Sequence, residues 1–204
     1  MYAKVDIFNL ALGALLLDKR IINVDSDTSS ENKILKTYYD VAFRKALEDM
    51  DLDGTATQKP LELVEESPND LWDFAYKYPT NCAFLRRIQS QALKDDKSTQ
   101  ITKRIAVHNG QKVVFTNQDQ AIIEYIPNDL APEILSASAG LAVAYKLAEL
   151  SAALIAGKGA LALKKDLKES YIIARADAQE QDRLENANFD DDEVTSEFVR
   201  ARTS

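Results

Sequence analysis

Few side chains of this sequence have the types and spacing that catalysis or metal binding needs. His108 is the only histidine and Cys82 the only cysteine of the 204-residue chain. His108 has no surrounding group of Cys, Asp or Glu with metal-ligand spacing, and no serine, threonine or cysteine has an evident partner base. The sequence therefore predicts a protein with no catalytic centre, cofactor or bound metal, and not an enzyme.

Two short motifs resemble ligand-binding loops but lack essential parts of them. The spaced acids and glycine of residues 51–54, DLDG, suggest a calcium loop, but no carboxylate closes the loop at the required position. The segment Gly157-Lys158-Gly159 lacks the flanking glycines and the Ser or Thr of a phosphate-binding loop. We interpret the first motif as a helix stop followed by a turn, and the second as a connection between helices.

The charge balance limits the classes of partner. The chain has 25 basic and 33 acidic residues and a net charge of −8. Broad wrapping of nucleic acid is not expected, because proteins that do this usually carry a basic surface. The longest apolar region, 141–155, contains Lys146 and Glu149, so no membrane span is predicted.

Apolar residues three and four positions apart indicate four long helices. We expect them over 5–17, from about 28 to 49, from Pro132 through an alanine-rich stretch, and over 160–184.

The aromatic-rich stretch 67–78 is also predicted to be helical. Ser67 and Pro68 suit the start of a helix, and Pro79 disfavours helix at the residue before it. Leu71, Trp72, Ala75 and Tyr76 would share one face. Four residues of this region are expected to be structural anchors: Trp72, Tyr76, Tyr78 and Pro79.

Strands are indicated in the middle of the chain. Alternation and β-branched residues place them near 84–88, 101–107, 112–115 and 121–125. Asn109-Gly110 is a strong hairpin signal, because both turn positions need positive φ. A hairpin inserted between helices can project from the body. We therefore expect its tip to contact a neighbouring subunit or another protein, through His108, Asn109 and Gly110.

These elements together predict a mainly α fold. Residues 1–185 would form an antiparallel helical bundle with a small antiparallel β insert at about 84–126. Residues 186–204 are too acidic and polar to form a core of their own, so we expect an extended C-terminal arm. Its anchoring side chains would be Phe189, Phe198, Val199, Arg200 and Arg202.

The aromatic stretch also carries a resemblance to a known family. The pattern W-x-(F/Y)-A-Y-x-Y-P-x-(D/N)-C followed by R-R-I resembles the signature of tail tubular protein A-like head-to-tail adaptors of short-tailed bacteriophages. Other segments are similar to the same family in order along the chain: NLALGALLL, ENKILKTYYDVAFRKAL, the β-like middle and the alanine-rich helix after Ala131-Pro132. The matching residues of the signature are Trp72, Phe74, Ala75, Tyr76, Tyr78, Pro79, Asn81, Cys82, Arg86, Arg87 and Ile88.

The resemblance implies a structural protein of the virion that is made in the host cytoplasm. Such adaptors assemble as a homo-oligomeric ring, of twelve copies in the family, beneath the portal protein after DNA packaging. The ring offers a platform to the tail tube or nozzle protein and extends the channel, through which DNA passes without specific binding. By the same resemblance, the C-terminal arm would grip the portal.

The residues alone leave a second class of function open. A helical regulatory or partner-binding protein, acting as a monomer or dimer, is also compatible with a chain that has no catalytic constellation. The small residues of the alanine-rich helix fit either tight packing within one chain or a seam between subunits.

Overall fold

The computed structural model describes residues 2–90 and 101–186, which form a four-helix bundle carrying a two-sheet β module. The helices are α1 (Lys4–Ala14), α2 (Ser30–Met50), α3 (Ala137–Ile155) and α4 (Ala160–Asn186). The module lies between α2 and α3 in the chain, and its strands are β1 (Thr57–Pro60), β2 (Leu63–Asn69), β3 (Trp72–Lys77), β4 (Cys82–Ser90), β5 (Lys103–His108), β6 (Gln111–Thr116) and β7 (Ala121–Pro127).

Helix α3 is the centre of the bundle, since it packs against each of the other three helices. Ser136 begins it by accepting a hydrogen bond from the backbone N–H of Ala139 at 3.3 Å. Its small residues allow close approach: a Cβ added at Gly140 would lie 2.5 Å from the ring of Tyr2. By length and composition α3 could cross a membrane, but 56% of its apolar window is buried inside the protein. Core helices have the same composition.

The seven strands form two antiparallel sheets. The first has the strand order β1-β7-β4 and the second β2-β3-β6-β5. Side chains alternate across a sheet, so Ile123 and Tyr125 of β7 pack towards the second sheet. Ile126 instead packs into the helical core, where it is fully buried. The first sheet is therefore the layer between the bundle and the second sheet.

The expected fold class is wrong. We predicted a mainly α bundle with a small insert at about 84–126, whereas the strands begin at Thr57 and build two sheets. The strands predicted near 84–88, 101–107, 112–115 and 121–125 are confirmed, as is the hairpin turn, where Asn109 and Gly110 have φ of 49° and 77°. The strands that were not predicted are β1, β2 and β3; β3 and the last three residues of β2 fall where a helix was predicted.

The predicted helix over 67–78 does not form. Ser67 has a φ of 49°, which is incompatible with capping a helix there, and Pro68 lies on β2, an edge strand where a missing N–H is tolerated. Phe74 and Tyr76 follow Trp72 at alternate positions on β3. That strand is paired on both sides, by β2 and β6, so its backbone groups are satisfied without a helix.

The four long helices are confirmed with shifted ends. Helix α1 stops at Ala14 instead of residue 17, because Leu16 adopts a left-handed φ of 59°. The chain at Pro132–Ile134 makes a single 3₁₀ turn, and α3 starts five residues later than Pro132. Two apolar side chains of α4 do not enter the core: Ile172 and Ile173 are 45% and 63% exposed.

Candidate functional site

A buried carboxylate lies where the β module meets the helical bundle. Glu124, on the central strand β7, is 4% exposed. Arg87 donates to its Oε2 from Nε at 3.0 Å and from Nη2 at 2.7 Å, and Arg86 donates to Oε1 at 3.2 Å. The side-chain amides of Gln58 and Gln89 complete the set at 2.9 and 3.2 Å. The charge is thus fully paired, as burial requires.

Arg86 continues this network into the helical part. Its guanidinium lies 2.8 Å from Asp51 and also contacts Asp53, both just after the end of α2. Burial by itself would lower the pKa of Arg86, but the hydrogen bond to Asp53 and the charges of Asp51, Asp53 and Glu124 raise it. Arg86 is therefore a permanent cation shared by three carboxylates from two parts of the fold.

Helix α4 also binds the turn that contains Asp53. Asp182 accepts hydrogen bonds from the backbone N–H groups of Asp53 at 2.7 Å and Gly54 at 2.9 Å. We refer to these connected groups as the joint, because they tie α2, α4, β4 and β7 together. The joint consists of Asp51, Asp53, Arg86, Arg87, Glu124 and Asp182.

The geometry of the joint is that of a structural clamp. A groove of about 450 Å³ is lined by five of its side chains and Phe84, but its carboxylates face arginines and not an open position. Within residues 2–90 and 101–186, no three His, Cys, Asp or Glu side chains are grouped to hold a metal ion. The prediction that 51–54 is a helix stop and a turn is confirmed: Asp51 ends α2 with a φ of 48°, and a 3₁₀ turn follows.

An aromatic patch covers the outer face of the second sheet. The rings of Trp72 and Phe115 stack with centroids 6.5 Å apart, and His108 meets Phe115 edge-on at 5.6 Å. Beneath them, Ala75 and Val113 are fully buried. Trp72 itself is half-buried and lies outside the main helical core. We call Trp72, His108 and Phe115 the aromatic patch.

Two of the other expected anchors, Tyr76 and Tyr78, lie in the apolar cluster between the two sheets. Tyr76 is buried and donates its hydroxyl to the carbonyl of Gln118 at 3.0 Å. Pro79 is buried and Tyr78 half-buried. Burial raises the pKa of Tyr78, and a hydrogen bond with Cys82 raises it further.

The predicted contact tip lies at the end of β5 and β6. Asn109 and Gly110 are exposed, and a Cβ added at Gly110 would meet no atom within 4 Å. His108 forms a hydrogen bond with Glu65, with 2.6 Å between His108 Nε2 and Glu65 Oε2. Val107, the residue before His108 on β5, is 74% exposed, so this end of the module presents an apolar side chain beside the turn.

The residues expected to form the portal-binding arm lie outside the described residues, which end at Asn186. They are Phe189, Phe198, Val199, Arg200 and Arg202.

The joint is the feature that sequence reasoning missed. Arg86 and Arg87 were singled out only through the family resemblance, and Asp51 and Asp53 only as an incomplete calcium loop. The available signal was Glu124, an acid within the otherwise apolar run AIIEYIP. A charge in such a strand must be paired, but the sequence does not say with which residue.

Comparisons with known proteins do not identify the chain. Neither the scan against protein-family models nor the search of curated proteins found a match.

Proposed function

We propose that this protein is a head-to-tail adaptor of a short-tailed bacteriophage, a structural component of the virion. It would form a ring of twelve copies between the portal protein and the tail tube or nozzle. The observation that carries the proposal is the aromatic signature of residues 72–88, together with flanking segments that resemble the family in the same order.

The positions of the signature residues support this reading. Trp72, Phe74 and Tyr76 lie on β3, at the centre of the second sheet. Arg86 and Arg87 lie on β4 and pair with Glu124 in the joint. The signature thus covers both the core of the module and its attachment to the bundle. Ring assembly needs subunits of one fixed shape, and a clamped module meets that need.

Exposed apolar side chains offer surfaces for contacts between copies. Leu71 and Val107 on the module are 73% and 74% exposed, and Leu161 at the start of α4 is 84% exposed. Side chains of this kind are buried when subunits associate. We assign the module tip with His108, Asn109 and Gly110 to a tail or subunit contact, and residues 186–204 to the portal.

The channel of such a ring would let DNA pass without holding it. The net charge of −8 disfavours adhesion of phosphate to the wall. We expect no submicromolar binding of duplex DNA by the isolated chain at physiological salt. Tight binding under these conditions would contradict this part of the proposal.

Mass measurement of the purified full chain, alone and with portal rings, tests the main proposal. We expect twelve copies to join each portal ring. A chain that stays a monomer or dimer in the presence of several candidate portals would instead favour the regulatory or partner-binding class of protein.

Variants can then separate the two expected contacts. Deleting residues 186–204 should abolish portal binding and leave the melting temperature unchanged. Phe198→Ala and Arg200→Ala should each weaken portal binding. Val107→Glu, beside the module tip, should leave portal binding intact and impair joining of copies or of the tail. Portal binding at full affinity by the truncated chain would remove the arm from the proposal.

A further inference from the structure

In the part of the chain that the structure describes, four strands lie at sheet edges, and one of them differs from the other three. Strand β1 has four residues and ends at Pro60. Strand β2 contains Pro68 and two register shifts, and β4 also has two. Such features hinder the pairing of an edge strand with another chain. Strand β5 has none of them, since all six of its residues pair with β6 in unbroken register.

The free edge of β5 presents the backbone groups of Ile105 and Val107. His108 is the last residue before a two-residue turn with positive φ at both positions, so it exchanges both backbone hydrogen bonds with its partner on β6. Bonding alternates along an antiparallel pair, and the N–H and C=O groups of Ile105 and Val107 therefore point away from β6. Opposite Val107, the carbonyl of Lys112 likewise points away from β5, because it accepts a hydrogen bond from the N–H of Tyr78 at 3.1 Å.

The side chains of these two residues are also uncovered. Ile105 pairs with Val114, which lies in the apolar cluster between the sheets, so Ile105 and Val107 share the face of β5 that is turned towards the first sheet. Lys103 on this face contacts the first sheet, where its Nζ donates to the carbonyl of Arg86 at 2.8 Å. Ile105 and Val107 are nevertheless 43% and 74% exposed. The first sheet thus covers the start of β5 and leaves its apolar end open.

An extended strand with apolar side chains at alternate positions fits this edge, and β5 of a second copy is such a strand. In antiparallel pairing about a twofold axis at Ala106, Ile105 lies opposite Val107 of the second copy, and Val107 lies opposite its Ile105. The outward N–H and C=O groups of these residues then bond to each other. Ala106 meets its own equivalent at the close, non-hydrogen-bonded position, where a small side chain fits. An axis at Ile105 would instead place Val107 opposite Lys103.

Charges on the other face of β5 support a second copy as the occupant of this edge. Arg104 and His108 lie on this outer face at alternate positions from Ala106, and Arg104 is exposed. With the axis at Ala106, Arg104 lies opposite His108 of the second copy, whose Nε2 is 2.6 Å from Oε2 of Glu65. A guanidinium at this position can pair with the carboxylate of Glu65. Because of the twofold axis, the same pairing occurs at both ends of the contact.

We infer that two copies of the chain associate through β5, which joins their two four-stranded sheets into one sheet of eight strands. This inference does not rest on the proposed function, since it concerns the purified chain without a portal. A twofold contact is satisfied by two copies and does not by itself close a ring. If the chain does not dimerise, the proposed ring is unaffected; if the chain does not join portal rings, the dimer is unaffected.

Sedimentation equilibrium of the full chain over a range of concentrations tests the association. A contact made by one six-residue strand is small, so we expect monomers and dimers in exchange, with a dissociation constant in the micromolar range. Val107→Lys should weaken the association at least about tenfold, because it places a charge opposite Ile105. Leu71→Lys is the matched control, since the Leu71 side chain is 73% exposed against 74% for Val107. A native chain that is monomeric at about 200 µM, or equal weakening by both variants, would overturn the inference.

Engineered cysteines test the register in a Cys82→Ala background, which removes the only native thiol. Ala106→Cys should form a disulfide between copies under mild oxidation, because residues opposite each other at a non-hydrogen-bonded position have Cα atoms about 4.5 Å apart. Arg104→Cys is the control, since its equivalent in the second copy would lie four residues further along the paired strand, at least about 13 Å away. Linkage at position 104 as fast as at position 106 would contradict a twofold axis at Ala106.

An exchange of charges tests the two ends of the contact. Arg104→Glu sets an acid beside Glu65 of the second copy, and Glu65→Arg sets a base beside Arg104, so each variant alone should associate several-fold more weakly than the native chain. An equimolar mixture of the two variants restores opposite charges at both ends, and it should form mixed dimers more tightly than either variant associates alone. Urea unfolding followed by Trp72 fluorescence checks that both variants keep the native fold. A mixture that associates no better than its components would contradict the pairing.

Discussion

The helical bundle and the β module are stabilised in different ways. All four helices contribute to one continuous core, in which α3 places Ala142, Val143 and Leu147 out of contact with water. The module has two smaller clusters, one between its sheets and one under the aromatic patch. Because a small core buries little apolar surface, the module depends more on its attachment to the bundle.

The ion pairs on the helices and those in the joint also differ, in how far their side chains are exposed. Several pairs on the helices lie on the surface, such as Arg183 with Glu180, which are 71% and 56% exposed; the pair of Lys146 and Glu149 on α3, at 16% and 11%, is an exception. In the joint, the side chain of Glu124 is only 6% exposed. Surface pairs contribute about 0–1 kcal/mol, whereas breaking a buried pair leaves an uncompensated charge. A surface pair such as Arg183–Glu180 can thus be lost with little effect on stability, whereas the pairs that Glu124 makes in the joint cannot.

The largest effect is expected in the helical core. Leu147→Ala should lower the free energy of unfolding by about 3–5 kcal/mol, because Leu147 is fully buried and its loss leaves a cavity. Urea unfolding followed by far-ultraviolet circular dichroism measures this. Leu154→Ala, at a position 61% exposed, is the control and should change stability by less than about 0.5 kcal/mol. Similar losses in both variants would refute the importance of this core.

Breaking the joint should have the next largest effect and should separate the two regions. Glu124→Gln removes the charge that Arg86 and Arg87 share, which should cost about 2–4 kcal/mol. Trp72, the only tryptophan, reports on the module, and circular dichroism reports mainly on the helices. We expect the fluorescence transition to move to lower urea than the helical transition. Glu180→Gln is the surface control. Coincident transitions in the joint variant would show that the module does not depend on this clamp.

Trp72→Ala should lower the free energy of unfolding by less than the loss of a fully buried aromatic side chain would. The sequence predicted Trp72 on the buried side of a helix, where its removal would lower the free energy of unfolding by ~3–5 kcal/mol. Because Trp72 is instead half-buried on β3, we expect a loss of about 2 kcal/mol in the free energy of unfolding, and we expect this loss to be confined to the module. Hydrogen exchange of β2, β3 and β6 measures it, with Leu71→Ala as the exposed control. Loss of protection in α3 as well would contradict the local role.

The smallest effect concerns acid stability at the start of α2. The hydrogen bond from Lys19, with those from its own backbone N–H and Ser30, lowers the pKa of Glu31 from 4.5 to about 2. A depressed folded-state pKa stabilises above the unfolded value and loses that contribution as pH falls through the folded value. The melting difference between the native chain and Glu31→Gln should therefore be constant above pH 4.5 and vanish near pH 2. A difference independent of pH would exclude the ionised Glu31 as its source.

The sequence by itself determined the elements whose hydrogen bonds are local. Each helix bonds residues four apart, so the spacing of apolar residues was enough to predict α2 and α4, apart from their ends. Asn109-Gly110 likewise determined its own turn, because both residues tolerate positive φ.

Only the tertiary structure decided between helix and strand at 67–78 and assembled the joint. This stretch fits both periods: Leu71, Trp72 and Ala75 have helical spacing, while Trp72, Phe74, Tyr76 and Tyr78 alternate. The strand forms because β2 and β6 supply its hydrogen-bond partners, and β6 lies about 40 positions away along the chain. Glu124 similarly meets Arg86 across 38 positions. Such partners are chosen by the way the sheets stack on the bundle, and no local pattern encodes that choice.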